Sequence, residues 1–259
     1  MATPKALVLR TAGTNCDGET LHALTKAGFQ AERTHVLRVI ESPATLENCA
    51  FLVVPGGFSY GDDVSAGKIL ANQMLHHLGD ALRRFIAADK LILGICNGFQ
   101  VLIKAGLLPE PTVDPATAAH EATLAWNDCG QFVDRWIHLR ADSDVCVLVN
   151  RGDVISLPIA HGEGRFVCRD EAVLKRLQKA DQVALRYCDA EGVTGTPGAN
   201  PNGSDDDIAG LCDPTGRILG LMPHPERFVD IVQHPTWTRG TVKTADGLGL
   251  FRKAYKALA

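Results

Sequence analysis

A cysteine between two glycines is the first group in this sequence that is suited to covalent chemistry. Cys96 lies in the frame Gly94-x-Cys96-x-Gly98. This is the spacing of a nucleophile elbow, a sharp turn from a strand into a helix that holds the reactive atom clear of the sheet. Backbone N–H groups at the start of such a helix favour a thiolate and can bind a developing oxyanion. We therefore predict that Cys96 is a nucleophile, against the alternative that it is a small buried hydrophobic residue.

A cysteine nucleophile requires a base, and the best candidate is His224 in the run Met-Pro-His-Pro-Glu-Arg at 222–227. The two prolines favour an extended backbone at His224, and residues two apart in an extended chain point to the same face. Glu226 can then accept from one imidazole nitrogen while the other faces the thiol. This predicts a Cys96–His224–Glu226 triad. The alternative for Pro-His-Pro alone is a rigid surface turn.

A second glycine turn offers donors for an oxyanion. Residues 55–57 are Pro-Gly-Gly and follow the apolar run 51–54. Because a glycine backbone can approach a substrate carbonyl closely, the N–H groups of Gly57 and Asn97 are predicted to form a two-donor hole. The alternative is an ordinary tight turn.

The elements that must position these groups alternate along the first hundred residues. Short apolar runs predict strands, and segments with helical spacing predict helices between them. The strands fall at 5–10, 31–36, 51–54 and 91–95, and the main helices at 17–27 and 66–88. This alternation predicts an α/β fold, with a doubly wound and mostly parallel central sheet covered by helices on both faces.

After residue 121 the pattern changes to shorter, often alternating segments separated by glycine-bearing turns, which predicts a smaller antiparallel addition. Its strands are expected at 131–139, 145–149, 154–160, 182–188 and 218–222. Helices are expected at 171–180 and 247–258, and 110–121 is expected to be a loop or insertion. Without a clear linker, we predict one domain over residues 1–259.

Composition and charge exclude several classes of function. The chain has 259 residues and a formal net charge of -4, with no basic run that would follow a phosphate backbone, so no nucleic-acid partner is expected. No apolar stretch is long enough for a signal peptide or a membrane span, which makes the cytoplasm the expected location. The eight cysteines form no CxxC pair, so no metal site is expected. Residues 61–68 miss the spacing of a phosphate loop, so no cofactor is expected on this chain.

These motifs resemble a known family. Residues 94–100, Gly-Ile-Cys-Asn-Gly-Phe-Gln, resemble the nucleophile motif of class I glutamine amidotransferases, and 223–227 resemble their His/Glu motif. Four further stretches resemble, more narrowly, the glutaminase subunit of phosphoribosylformylglycinamidine synthase, an enzyme of purine biosynthesis. They are 55–62, 158–166, 200–204 together with 208–210, and 246–251. The likeness runs from the first strand to the last helix and departs at 110–121 and around 230–244, where this chain carries extra residues.

The resemblance implies a role for each site residue. Cys96 would be the nucleophile, His224 the general base and acid, and Glu226 the carboxylate that orients His224. Gly57 and Asn97 would form the oxyanion hole, and Gln100 would bind substrate by shaping the glutamine pocket.

The resemblance also implies the reaction and the partners. L-glutamine would be hydrolysed to glutamate and ammonia. The ammonia would pass to a synthetase subunit that uses ATP and Mg²⁺ to convert formylglycinamide ribonucleotide to its amidine. Whether a small accessory subunit takes part is left open. We also hypothesise that His161, Glu163, Arg165 and 200–204 serve closure over the substrate or docking of the partner, although 200–204 are equally well explained as turn-forming residues.

Two other interpretations stay open at this point. One is a different α/β cysteine hydrolase, of the kind in which His follows the nucleophile directly; Asn97 stands in that position and counts against it. The other is a binding or regulatory subunit that has kept the fold without activity. The presence of Cys96, His224 and Glu226 together argues against that interpretation.

Overall fold

The computed structural model describes residues 3–113 and 121–259. In the first of these ranges, four strands alternate with five helices. The order is β1 (Lys5–Arg10), α1 (Asp17–Ala27), β2 (Gln30–His35), α2 (Val36–Glu41), α3 (Ala44–Glu47), β3 (Phe51–Val54), α4 (Lys68–Ala87), β4 (Leu91–Ile95) and α5 (Asn97–Lys104).

The second range contains the remaining seven strands and two helices. They are β5 (Ala122–Ala125), β6 (Val133–Ala141), β7 (Val154–His161), β8 (Arg165–Cys168), α6 (Glu171–Lys179), β9 (Val183–Cys188), β10 (Ile208–Cys212), β11 (Ile218–Leu221) and α7 (Asp246–Leu258).

One nine-stranded sheet forms the centre of the molecule, in the order β2-β1-β3-β4-β11-β10-β9-β6-β7. The strands from β2 to β11 pair in parallel, and those from β11 to β7 pair antiparallel. We call these the parallel half and the antiparallel half. A separate two-stranded sheet pairs β5 with β8. The predicted α/β class, mostly parallel with an antiparallel addition, is confirmed.

The central strands are apolar because helices cover them. Every residue of β3, β4 and β11 is buried, as expected for parallel strands that are packed on both faces. One group of helices pairs α1 with α7, and another packs α4 against α3 and α5. The carboxyl ends of the parallel strands meet at one edge of this sheet, which is where ligands bind in open α/β folds.

The structure differs from the sequence prediction in several places. Residues 145–149 form a turn rather than a strand, because the Ser143 hydroxyl accepts from the N–H groups of Val145 and Cys146 and closes the backbone locally. The strand β10 was not predicted, and neither was the sheet of β5 and β8. Residues 114–120 of the predicted loop lie outside the described residues.

None of the described helices is long and apolar enough to cross a bilayer.

Candidate active site

Cys96 lies at a strained turn between β4 and α5. Its backbone has φ 52° and ψ −107°, in the left-handed region that L-residues rarely adopt. The N–H of Cys96 donates to the Leu221 carbonyl at 2.8 Å, which fixes the turn to the neighbouring strand. This geometry is that of the predicted elbow, and it leaves the thiol at the N-terminus of α5.

The glycines of the elbow are required by close backbone approach. A Cβ atom on Gly98 would lie 1.8 Å from the Val54 carbonyl oxygen, and one on Gly94 would lie 2.7 Å from the Gly98 carbonyl oxygen. Both separations are far below van der Waals contact. The sequence frame therefore reflects a physical constraint on how α5 packs against β3 and β4.

His224 and Glu226 form a buried hydrogen-bonded pair just after β11. Nδ1 of His224 lies 2.6 Å from Oε1 of Glu226, and both side chains are almost completely buried. Burial alone would lower the pKa of His224, but the Glu226 carboxylate, followed by the Cys96 thiol, outweighs it and holds the pKa well above its usual value. The pair therefore favours an imidazolium beside the nucleophile.

The two motifs meet around Gly56. A Cβ atom on Gly56 would lie 2.9 Å from Cε1 of His224 and 3.5 Å from Cβ of Cys96, so both side chains surround one point. Because Nδ1 of His224 is occupied by Glu226, the other ring nitrogen, Nε2, is the one available for chemistry. Nε2 is buried and makes no hydrogen bond to any residue that the structure describes.

Gly57 and Asn97, the predicted oxyanion donors, belong to backbone that is held in place by local contacts. Gly57 has φ 141° and forms a single bridge with Thr14, and a Cβ there would lie 2.7 Å from the Asn15 nitrogen. The side chain of Asn97 holds this region to α5, accepting from the N–H of Ser59 at 3.2 Å. Among the residues that the structure describes, the backbone N–H groups of Gly57 and Asn97 donate no hydrogen bond.

A cavity of about 320 Å³ opens beside Cys96. Gln100 lines it, donating through Nε2 to the Glu163 carbonyl at 2.6 Å and accepting from Nδ2 of Asn97 at 3.0 Å. Asn97 itself is not among the lining residues. The wall is Asn15, Cys16, Gly57, Phe58, Asp62, Ala66, Cys96, Gln100, Trp126, Phe132, Asp134, Ala160, His161, Gly162, Glu163, His224 and Arg227. Four of the six predicted site residues thus line one cavity: Gly57, Cys96, Gln100 and His224. Of the other two, Asn97 hydrogen-bonds to Gln100 and Glu226 to His224.

Cys16 and Arg227 are site residues that sequence reasoning did not single out. Sγ of Cys16 lies 4.0 Å from Nδ1 of His224 and accepts from Nη2 of Arg227 at 3.1 Å. Arg227 also pairs with Glu19 at 3.2 Å, so the first turn of α1 anchors the segment that carries His224. Arg227 was visible in the 222–227 motif, but a lone cysteine near the N-terminus gave no comparable indication.

One cluster in the described residues has metal-ligand spacing. The ligand atoms of Cys16, His224 and Glu226 lie within 4.8 Å of one another. Hydrogen bonds within the chain already use them, from His224 to Glu226 and from Arg227 to Cys16. The cluster is therefore better described as the support of the imidazole, and the absence of a metal site stays a prediction.

The residues hypothesised to serve closure or docking have distinct surroundings. His161 and Glu163 line the cavity, whereas Arg165 begins β8. In 200–204, Oδ1 of Asn200 accepts from the N–H of Gly203 at 3.0 Å, and Nδ2 of Asn202 donates to the Gly164 carbonyl at 2.8 Å. These contacts account for the turn itself, and the proposed role in closure or docking stays a hypothesis.

Comparison with known proteins identifies the family of this chain. A model of the CobB/CobQ-like glutamine amidotransferase domain matches residues 3–257. The phosphoribosylformylglycinamidine synthase subunit PurQ of Dehalococcoides mccartyi is 42% identical over 259 residues, covering 99% of this chain and 98% of the relative. PurQ of Methanococcus maripaludis (strain S2 / LL) is 43% identical over 236 residues, covering 90% of this chain and 86% of the relative.

Solved structures agree at the level of fold. A chain of PurLQS from Thermotoga maritima superposes with a TM-score of 0.74 at 31% identity, covering 100% of each chain. A glutamine amidotransferase from the same organism, at 15% identity and a TM-score of 0.56 over 100% of this chain and 99% of the other, shares the fold alone. With its length matched by the amidotransferase domain and by these relatives, the chain belongs to the PurQ family of glutamine amidotransferase subunits.

Proposed function

We propose that this chain is the glutaminase subunit of a phosphoribosylformylglycinamidine synthase, in which Cys96, His224 and Glu226 hydrolyse L-glutamine to glutamate and ammonia. The observation that carries the proposal is the meeting of two distant motifs around Gly56, with the cysteine at a strained elbow and the imidazole held by a buried carboxylate. Family membership supports the reaction class, and this geometry supports the role proposed for each residue.

In the proposed reaction, the sulfur of Cys96 attacks the carbon of the side-chain carboxamide of glutamine. His224 gives its Nε2 proton to the amide nitrogen, the C–N bond breaks, and ammonia leaves behind a γ-glutamyl thioester. Water then adds to the thioester carbon as Nε2 takes a proton from it, the C–S bond breaks to return the Cys96 thiolate beside the imidazolium, and glutamate is released. Glu226 keeps the imidazole in one orientation and stabilises its charged form throughout.

The negative oxygen formed at each addition needs donors that are already in place. The N–H groups of Gly57 and Asn97 are the candidates, because both backbones are fixed by contacts elsewhere. The antiparallel bridge holds Gly57, and Asn97 is held through its side chain. Preorganised donors of this kind cost no reorganisation as the charge develops. Gln100 would shape the end of the pocket that receives glutamine.

The useful product is ammonia, which implies a second subunit. PurQ relatives are named as subunits of the synthase, and the Thermotoga maritima structure is that of PurLQS. We propose that a synthetase subunit, with ATP and Mg²⁺ bound there, consumes the ammonia, and that a small accessory subunit can join the complex. We further propose that residues 1–259 act as one amidotransferase domain in the cytoplasm, where its free cysteines stay reduced.

Labelling with 6-diazo-5-oxonorleucine, a reactive glutamine analogue, tests the nucleophile. With the synthetase subunit present, mass spectrometry should find the adduct on Cys96 and lose it in Cys96→Ala. Cys129→Ala serves as the matched control, because Cys129 is exposed and does not line the cavity. An adduct on Cys16 would contradict Cys96 as the nucleophile. No adduct at all would favour a subunit that has kept the fold without activity.

A further inference from the structure

His161 is a buried histidine of the site to which the chemistry above gives no role. It ends β7, is only 4% exposed and lines the cavity next to Ala160, whose carbonyl oxygen lies 3.9 Å from Sγ of Cys96. The backbone N–H of His224 donates to the Pro158 carbonyl at 2.9 Å, which joins the same strand to the catalytic histidine. His161 therefore lies beside the reacting groups on the antiparallel side.

The proton on the His161 ring can be located from its neighbour Asn127. Nδ2 of Asn127 donates to the carbonyls of His161 and Gln131, at 2.8 and 2.9 Å. Oδ1 of Asn127 accepts from the N–H of Gly164 at 3.2 Å, which fixes the orientation of the amide. The same oxygen lies 3.1 Å from Nδ1 of His161, so Nδ1 must carry the proton. Nε2 is then a lone-pair acceptor.

This acceptor is fixed and has no partner among the described residues. Nε2 of His161 is buried without a hydrogen bond, a state that costs free energy unless a ligand satisfies it. A Cβ on Gly164 would lie 2.2 Å from the ring, so the backbone of Gly164 packs closely against the imidazole. Burial and the nearby charge of His224 lower the pKa of His161 to about 4, which keeps the ring neutral at physiological pH.

We propose that Nε2 of His161 accepts a hydrogen bond from the amide nitrogen of the substrate, and then from the ammonia released from it. This rests on the proposed function and deepens it. A neutral acceptor favours a carboxamide N–H over the oxygen of an ester or of the product carboxylate, neither of which can donate at that position. It also contacts ammonia without supplying a proton, so the ammonia leaves as a nucleophile. His161 is thus a determinant of amide specificity.

The test compares two substrates that share the acyl group. Glutamine carries N–H donors on its leaving group, whereas the γ-methyl ester of glutamate carries none. In the complex with the synthetase subunit, His161→Asn keeps a donor toward Asn127 and removes the Nε2 acceptor. We expect kcat/KM for glutamine to fall by about 10- to 100-fold, with little change for the ester. His161→Gln, whose longer amide can place an oxygen near the Nε2 position, should recover part of the glutamine activity.

Each result separates the two proposals. Equal losses on both substrates, or undiminished activity on glutamine, would overturn the role of His161 while leaving the proposed function intact. Turnover of neither substrate by the unmodified complex would instead overturn the proposed function. Denaturant unfolding of both variants shows whether the fold is kept, and the ratio of the two substrates within one variant does not depend on the amount of folded protein.

Discussion

The two halves of the sheet contribute to the site in different ways. In the parallel half, the reactive geometry lies in the backbone, with Cys96 at φ 52° and Gly57 at φ 141°. In the antiparallel half, it lies in a network of side-chain amides, in which Asn127 fixes His161 and Asn202 holds the turn at Gly164. Both halves reach the cavity, but by separate physical means.

This difference predicts that substitutions in the two halves affect different properties of the protein. Groups at the ends of parallel strands act on the bond that breaks, so their loss should affect turnover first. Amide side chains of the antiparallel half act on shape, so their loss should affect stability first. His161 is the exception, because it combines a fixed ring with an unused acceptor.

The largest effect is expected for Glu226→Gln in the parallel half. Replacing the carboxylate keeps the shape but removes the charge that stabilises the imidazolium of His224, and by analogy with other triads kcat should fall by about 10²- to 10⁴-fold. Steady-state kinetics on glutamine, with the synthetase present, measures this. Glu171→Gln is the control because Glu171 is exposed on α6, and a comparable loss in both variants would contradict an orienting role for Glu226.

The same variant carries a pH dependence of known sign. The pKa of His224 is raised in the folded chain, so its charged form stabilises the fold. That stabilisation is complete below the unfolded pKa of about 6.5 and is lost as the pH rises through the raised folded value. Glu226→Gln removes a main cause of the rise, so unfolding free energies measured across this range should depend less on pH than in the unmodified protein.

The sequence predicted the parallel half closely. The strand at 5–10 and the helix at 17–27 have the bounds that were expected, because apolar runs and helix periodicity are local properties. The elbow could also be predicted from the sequence, because backbone crowding requires glycine on both sides of Cys96. Predicting the triad required combining two short motifs, each of which can be recognised from its own local sequence.

The antiparallel half was harder to predict, because its determinants are distant in sequence. Residues 145–149 form a short apolar run typical of a strand, but the side chain of Ser143 closes them into a turn. The role of Asn127, like that of Cys16 in the parallel half, depends on a partner more than thirty residues away, which is His161 for Asn127 and His224 for Cys16. No spacing rule within a segment could have identified them.

A smaller effect, on stability, is expected from alanine at two glycines. In Gly98→Ala the new Cβ would lie 1.8 Å from the Val54 carbonyl oxygen, and such overpacking costs roughly 1–3 kcal/mol or more. In Gly249→Ala, in the exposed part of α7, nothing lies within 4 Å, so helix propensity should stabilise the fold by about 0.5–1 kcal/mol. Urea unfolding measures both, and equal stabilities would show that the elbow adapts to a side chain.

An effect on stability alone is expected from Asn202→Ala in the antiparallel half. Asn202 is completely buried, and its Nδ2 donates to the Gly164 carbonyl while its Oδ1 accepts from the Ser204 hydroxyl at 2.7 Å. Losing it leaves buried partners unsatisfied, at a cost of about 1–3 kcal/mol in unfolding free energy. Asn150→Ala is the matched control, since Asn150 is exposed and should change stability by less than about 0.5 kcal/mol. Since Asn202 supports shape alone, kcat should stay close to that of the unmodified protein; a large fall in kcat at unchanged stability would place this half in the chemistry as well.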